Sequence, residues 1–125
     1  MKYLGIDFGL KRVGLAISEG SLASAWKVVE VQSLKDASEK IEKIIRDGDF
    51  DKVVVGLPEG KIGQTVVGFI NTLRKKGFEV VGVDETLSSY QAIQKMIELN
   101  IPKQKRKISD DMAAAIILQN WLDQR

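Results

Sequence analysis

At 125 residues, with 44% hydrophobic and 29% charged content, the chain has the make-up of an ordinary globular protein and the length of one domain, expected over residues 1–125. It contains no histidine and no cysteine, which excludes Ser-His-Asp and Cys-His nucleophilic sites, disulfides and the usual zinc ligands. Without those residues any hydrolytic chemistry must rest on Asp, Glu, Lys or Tyr, with or without a hard metal ion, and a net charge of +2 is too small to identify a partner.

The opening MKYLGIDFG has neither the charged segment nor the cleavage site of a signal peptide. No apolar run approaches the ~18 residues of a membrane span, so a cytoplasmic location without a membrane partner is expected. Residues 2–8 (KYLGIDF) and 12–18 (RVGLAIS) read as strands, and Gly9-Leu10-Lys11 is short enough to join them as a hairpin. A third strand is expected within Ala25–Gln32. The period then changes to that of a helix, with Ala37, Ile41, Ile44 and Ile45 on one stripe and Asp36 with Glu39 as a capping box. Lys52–Gly56 (KVVVG) reads as a buried strand. Val66, Phe69, Ile70 and Leu73 form the next helical stripe, closed by Gly77 as its C′ residue. Glu79–Val83 (EVVGV) is another strand, ending in Asp84-Glu85. Ser88 with Gln91 opens a helix carrying Ala92, Ile93, Met96 and Ile97, which Asn100-Ile101-Pro102 stops. KQKRK at 103–107 is the densest positive stretch, and Ser109 caps a last helix with Ala113, Ala114, Ile117 and Trp121 on one stripe.

The order βββ-α-β-α-β-α-α describes an α/β protein. Three short-linked strands pair antiparallel, and the two later strands, each reached through a helix, pair parallel by right-handed crossovers. A mixed five-stranded sheet with helices on both faces is the expected architecture.

In open α/β sheets, sites collect beyond the C-terminal ends of strands. Asp7 interrupts an apolar run at the end of the first strand, between Gly5 and Gly9; a plain turn-starting role is the competing reading. Glu85 follows the last parallel strand, where a nearby helix start would also favour an acid. Asp110 lies three, four and seven residues before Ala113, Ala114 and Ile117, so it should point toward the sheet, whereas Asp111 leads to a neighbouring face. Three carboxylates converging at one sheet edge would repel unless a cation neutralised them, and Mg²⁺ or Mn²⁺ suits all-oxygen ligands. Such an ion could lower the pKa of a bound water and stabilise phosphate oxygens without any histidine.

Two basic or glycine-rich segments could meet phosphate. The loop Gly56–Gly63 leads into a helix N-terminus but lacks the Gly-Lys-Ser/Thr ending of a P-loop, so that motif is excluded. A plain strand-to-helix connection explains it equally well. The run containing Lys103, Lys105, Arg106 and Lys107 stands just before Asp110, where it could hold a nucleic-acid backbone; a solvated loop is the alternative.

The GIDFG-x-KRVGLAIS opening, the VVVGLP strand and loop, the VDE-x-LSS segment and the D-x-MAAAIILQ-x-WLD ending resemble, in this order, the YqgF/RuvX family of pre-16S rRNA nucleases, also described as Holliday junction resolvase-like proteins. The resemblance spans nearly the whole chain. It implies an RNase H-like fold and cleavage of phosphodiesters with a divalent metal. Its acidic positions carry over as Asp7, Glu85 and Asp110, which would be both catalytic residues and metal ligands, and Lys11 and Arg12 match its basic pair. Two departures concern the substrate: Thr86 stands where the family usually has Arg, and Gly60-Lys61-Ile62-Gly63 replaces a longer polar stretch.

The expected function is therefore a Mg²⁺- or Mn²⁺-dependent nuclease, with Lys11, Arg12, Lys105, Arg106 and Lys107 holding substrate phosphates. Precursor rRNA is the favoured substrate, with pre-ribosome association as a corollary, and branched DNA is second. Two other readings stay open: an ATP-binding protein akin to actin-like ATPases and sugar kinases, which share the opening strand and turn but need two lobes, and an RNA-binding module without catalysis.

Overall fold

The computed structural model describes residues 1–58, 60–84 and 108–125. These hold β1 (Tyr3–Phe8), β2 (Arg12–Ser18), β3 (Ser24–Glu30), α1 (Leu34–Gly48), β4 (Lys52–Leu57), α2 (Lys61–Lys75), β5 (Val80–Asp84) and α3 (Asp110–Asp123). The helix expected after Ser88, its stop at Asn100–Pro102 and the basic run at 103–107 lie outside the described residues.

The strands form one sheet in the order β3-β2-β1-β4-β5. β1 pairs antiparallel with β2, as β2 does with β3, whereas β4 pairs parallel with both β1 and β5. The expected mixed sheet is therefore present. The chain first builds outward from β1 on one side, then returns through α1 to build outward on the other. β1 and β4 thus flank the point where the direction of travel reverses, the place where open α/β sheets leave a crevice beyond their C-terminal strand ends.

Alternation along each strand feeds two separate cores. Leu4, Ile6 and Phe8 face α1 and α2, where they meet Ile41, Phe69 and Leu73. Tyr3, Ala16 and Val54 face α3 and meet Ala114, Ile117, Leu118 and Leu122. Helices therefore cover both faces. Among the described residues, no helix is long and apolar enough to cross a membrane.

Helix ends follow local chemistry. α1 starts one turn earlier than its apolar stripe indicates, because Ser33 is the N-cap and its Oγ accepts from the Asp36 N–H at 3.0 Å. The Asp36 carboxylate turns back and accepts from the Gln32 N–H at 2.9 Å. The capping pair is thus Ser33 with Asp36, not Asp36 with Glu39, because Asp36 is a first-turn acid rather than the cap itself. α2 ends as expected. Gly77 adopts φ 94°, its N–H donates to Arg74, and the Phe78 N–H donates to Leu73, which together satisfy the last carbonyls.

The buried stripe of α3 is Ala114, Ile117, Leu118 and Leu122, rotated slightly from the expected one. Trp121 is only half buried: it meets the Tyr3 ring edge-on at 5.3 Å and carries the cations of Lys52 and Arg125 against its face. At the sheet edge, β3 contains a register shift opposite Leu15 and Ala16, which leaves Trp26 as the extra residue. That bulge and the neighbouring Lys27 discourage edge-to-edge pairing.

Candidate active site

Asp7 is the penultimate residue of β1. Tyr3 contributes to the α3-side core, and a Cβ on Gly5 would meet Leu118 and Ala114, so the odd-numbered positions of β1 face α3. Asp7 shares that face by alternation. Its partner across the β1–β2 ladder is Gly14. Directly opposed Cβ positions in an antiparallel pair stand roughly 4.5–5.5 Å apart.

Gly14 in turn lies under the first turn of α3. A Cβ at this position would fall 1.9 Å from the carbonyl oxygen of Asp110 and 2.8 Å from the backbone nitrogen of Asp111. Asp110 opens α3 and stands four, eight and twelve residues before Ala114, Leu118 and Leu122, the buried row of that helix. The structure thus brings two of the three predicted acids, Asp7 and Asp110, to one face and one end of the sheet. They come from nearly opposite ends of the chain. Glu85 lies just past β5 and outside the described residues, as does Thr86. Among the described residues, no group of three or more acids is close enough to hold a metal.

The Asp110 carboxylate accepts from Nε of Arg12 at 3.3 Å. Both side chains are well exposed, at 57% for Arg12 and 39% for Asp110. Arg12 is the first residue of β2, and the hairpin that presents it turns tightly because Gly9 has no Cβ; one there would lie 2.4 Å from the Arg12 carbonyl. Lys11 is exposed beside it, and its carbonyl accepts from the Val31 N–H at 2.9 Å. Lys11 and Arg12 also line a shallow cleft of about 380 Å³ that runs past Gln32 to Lys40. Of the two positive side chains predicted to hold phosphate, Arg12 thus stands against Asp110, while Lys11 lines the neighbouring cleft. Lys105, Arg106 and Lys107 lie outside the described residues, with Lys103.

Of the segment read as the Gly56–Gly63 loop, Gly56 and Leu57 end β4 and Lys61–Gly63 open α2, at the same end of the sheet because β4 runs parallel to β1. Gly60 is the N-cap of α2 with φ 84° and provides no side-chain cap. The adjoining cleft, about 400 Å³, is lined by Leu57, Pro58, Gly60, Gly63, Gln64 and Val67. This mainly apolar lining suits an uncharged group better than a phosphate.

Gly14 was not singled out among the sequence's candidate residues. Its one signal was an isolated glycine inside a strand pattern, which marks a close backbone approach. The Arg12–Asp110 pair, 98 residues apart in sequence, had no local signal at all.

Comparison with known proteins adds lineage to this geometry. The family described as "RuvX: Holliday junction resolvase" matches residues 1–124. A relative from Endomicrobium trichonymphae, named "Putative pre-16S rRNA nuclease", is 40% identical over 133 residues, covering 98% of this chain and 95% of its own. Among solved structures, the Fowlpox virus resolvase in complex with its substrate Holliday junction DNA superposes with a TM-score of 0.66 at 15% identity, covering 99% of this chain and 98% of that one. T. thermophilus RuvC in complex with a Holliday junction substrate gives the same TM-score and identity, covering 100% and 95%. At such low identity these two structures speak for the fold, which is RNase H-like.

Proposed function

Because the chain belongs to the RuvX family of Holliday junction resolvase-like proteins, we propose that it is a nuclease hydrolysing nucleic-acid phosphodiesters, with the 5′ end of precursor 16S rRNA as favoured substrate and branched DNA as second. The family and the name borne by the Endomicrobium relative support the substrate. The observation that carries the chemistry is that Asp7 and Asp110 both lie beside Gly14 on one sheet face, at the strand end next to the topological switch.

Asp7, Asp110 and Glu85 would hold Mg²⁺ or Mn²⁺. Glu85 enters as the third acid on its sequence position, two residues after Val83, which packs against the α3-side core. The donor set fits a hard divalent ion: carboxylate oxygens from separate elements, in a chain without histidine or cysteine. When bound, such an ion neutralises the clustered acids, acidifies water and offsets charge developing on phosphate oxygens.

The chain's own residues do the rest. Lys11 and Arg12 neutralise phosphates on either side of the scissile bond and fix the backbone over the acids. The Arg12–Asp110 pair is exposed on both sides, and such pairs typically contribute about 0–1 kcal/mol. Little stability is forfeited when Arg12 turns to a phosphate. Lys105, Arg106 and Lys107 would continue the track, and association with a pre-ribosomal particle would follow from the substrate.

The test is incubation with end-labelled precursor 16S rRNA and a labelled four-way DNA junction, with Mg²⁺, Mn²⁺ or EDTA. Cleavage of the RNA at defined positions, abolished by EDTA, is expected. Binding without cleavage under every metal condition would favour an RNA-binding module instead.

A further inference from the structure

We infer that Gly14 is a positioning residue: by letting the first turn of α3 rest on β2, it sets the separation of the Asp7 and Asp110 carboxylates. The inference rests on the two-acid site proposed above. Among the described residues, Gly14 meets both acids directly, as cross-strand partner of Asp7 and as the surface beneath the Asp110 carbonyl.

The contact is with backbone, which decides the consequence. A Cβ at residue 14 would lie 1.9 Å from the Asp110 carbonyl oxygen, 2.2 Å from its carbon and 2.8 Å from the Asp111 nitrogen. No rotamer change relieves an overlap with main chain. Carbon and carbonyl oxygen approach to roughly 3.3–3.6 Å at closest, so the first turn of α3 would rise by about 1.4 Å or more. Asp110 would rise with it, while Asp7, held in the β1–β2 ladder, would stay. Misplacement on that scale is enough to cost orders of magnitude at a site that depends on orientation.

Gly5 supplies a graded comparison. It also lies under α3, but one to two turns further along, and a Cβ there would stand 2.8 Å from Leu118 Cβ and 2.9 Å from the Ala114 carbonyl oxygen. The overlap is milder and more distant from Asp110. Leu122, near the far end of α3, touches neither acid and reports the cost of weakened packing alone.

The experiment measures Mn²⁺ affinity by calorimetry, without substrate, on the full chain and on Gly14→Ala, Gly5→Ala, Leu122→Ala and Asp7→Asn, with thermal melts in EDTA alongside. Gly14→Ala is expected to weaken Mn²⁺ binding about tenfold or more and Gly5→Ala about threefold. Leu122→Ala should lower the melting temperature yet leave affinity within about twofold. If Gly14→Ala does not fold, Gly5→Ala carries the test alone. A folded Gly14→Ala that is less stable but binds Mn²⁺ as tightly as the parent, or such a Gly5→Ala where Gly14→Ala does not fold, overturns the inference and leaves the site standing. No Mn²⁺ binding by the parent, or binding unaffected by Asp7→Asn, overturns the site and the inference together.

Discussion

The two faces of the sheet are built differently. Under α1 and α2 the contacts are large and interlocking: Leu4, Ile6, Leu15, Ile41, Phe69 and Leu73 are all buried, and the Phe8 and Phe69 rings stand 4.9 Å apart. Under α3, Tyr3 and Val54 still meet Ile117, Leu118 and Leu122, but beneath its first half the strands offer Gly5, Gly14 and Ala16 and the helix answers with Ala114, so backbone approaches backbone. Large side chains fill volume and tolerate some rearrangement, whereas a backbone contact leaves no slack. The first face supplies stability. The second holds Asp7 and Asp110 in register.

This contrast breaks most sharply at Asp7. Asp7→Asn removes a charge and almost no volume, so the melting temperature should hold while cleavage falls by orders of magnitude. Affinity for RNA in EDTA should stay equal or rise, because a negative charge facing phosphate is gone. Unchanged cleavage would place the chemistry elsewhere. On the other face, Phe69→Ala should cost about 3–5 kcal/mol of stability in denaturant titrations, with cleavage per folded molecule close to that of the parent. A selective loss of turnover there would erase the division between the faces.

Smaller effects sharpen the comparison. Arg12→Gln, or Lys105 and Arg106 changed together to Gln, should flatten the salt dependence of RNA binding by a log–log slope of roughly 0.7 for each phosphate no longer neutralised. The rate at saturating substrate should change much less. If turnover falls while the slope is intact, these residues act on the reacting phosphate itself. Ser33→Ala should cost about 1 kcal/mol by removing the α1 cap, with no effect on cleavage.

The α1–α2 layer also carries an acid-sensitive contact. The hydrogen bond from Lys76 holds the Glu42 carboxyl below its ordinary value near 4.5, with Arg46 assisting, and the Gln32 N–H and Lys40 do the same for Asp36. A depressed carboxylate stabilises the fold above its unfolded pKa and ceases to do so as pH falls through the folded one. Melting temperature should therefore decline on acidification from about pH 5, and Glu42→Gln should make that decline shallower. An unchanged profile would show that Glu42 contributes nothing to it.

How much was legible in the sequence follows the same division. The α1–α2 face announced itself, since Val66, Phe69, Ile70 and Leu73 fall on a helical period and Gly77 on the stop that φ 94° requires. The start of α1 was read one turn late because Asp36, an acid of the first turn, is also a common N-cap residue type, whereas Ser33 is the residue that caps. On the other face Asp7 was legible as the break in an apolar run and Asp110 as an acid in line with an apolar helical stripe, but their arrangement was not. The seating of Asp110 on Gly14 and its pairing with Arg12 join residues almost a hundred positions apart, and no periodicity encodes such contacts. The stripe on α3 was misplaced slightly because Trp121 is apolar in sequence yet serves as a half-exposed platform for Lys52 and Arg125.

The most direct test of a metal held between the α3-side acids is the anomalous scattering of crystals grown with Mn²⁺. The expected result is a peak in contact with carboxylate oxygens of both Asp7 and Asp110, absent from Asp7→Asn crystals grown identically. A Mn²⁺ peak that touches neither acid, or one that persists unchanged in Asp7→Asn, would contradict it.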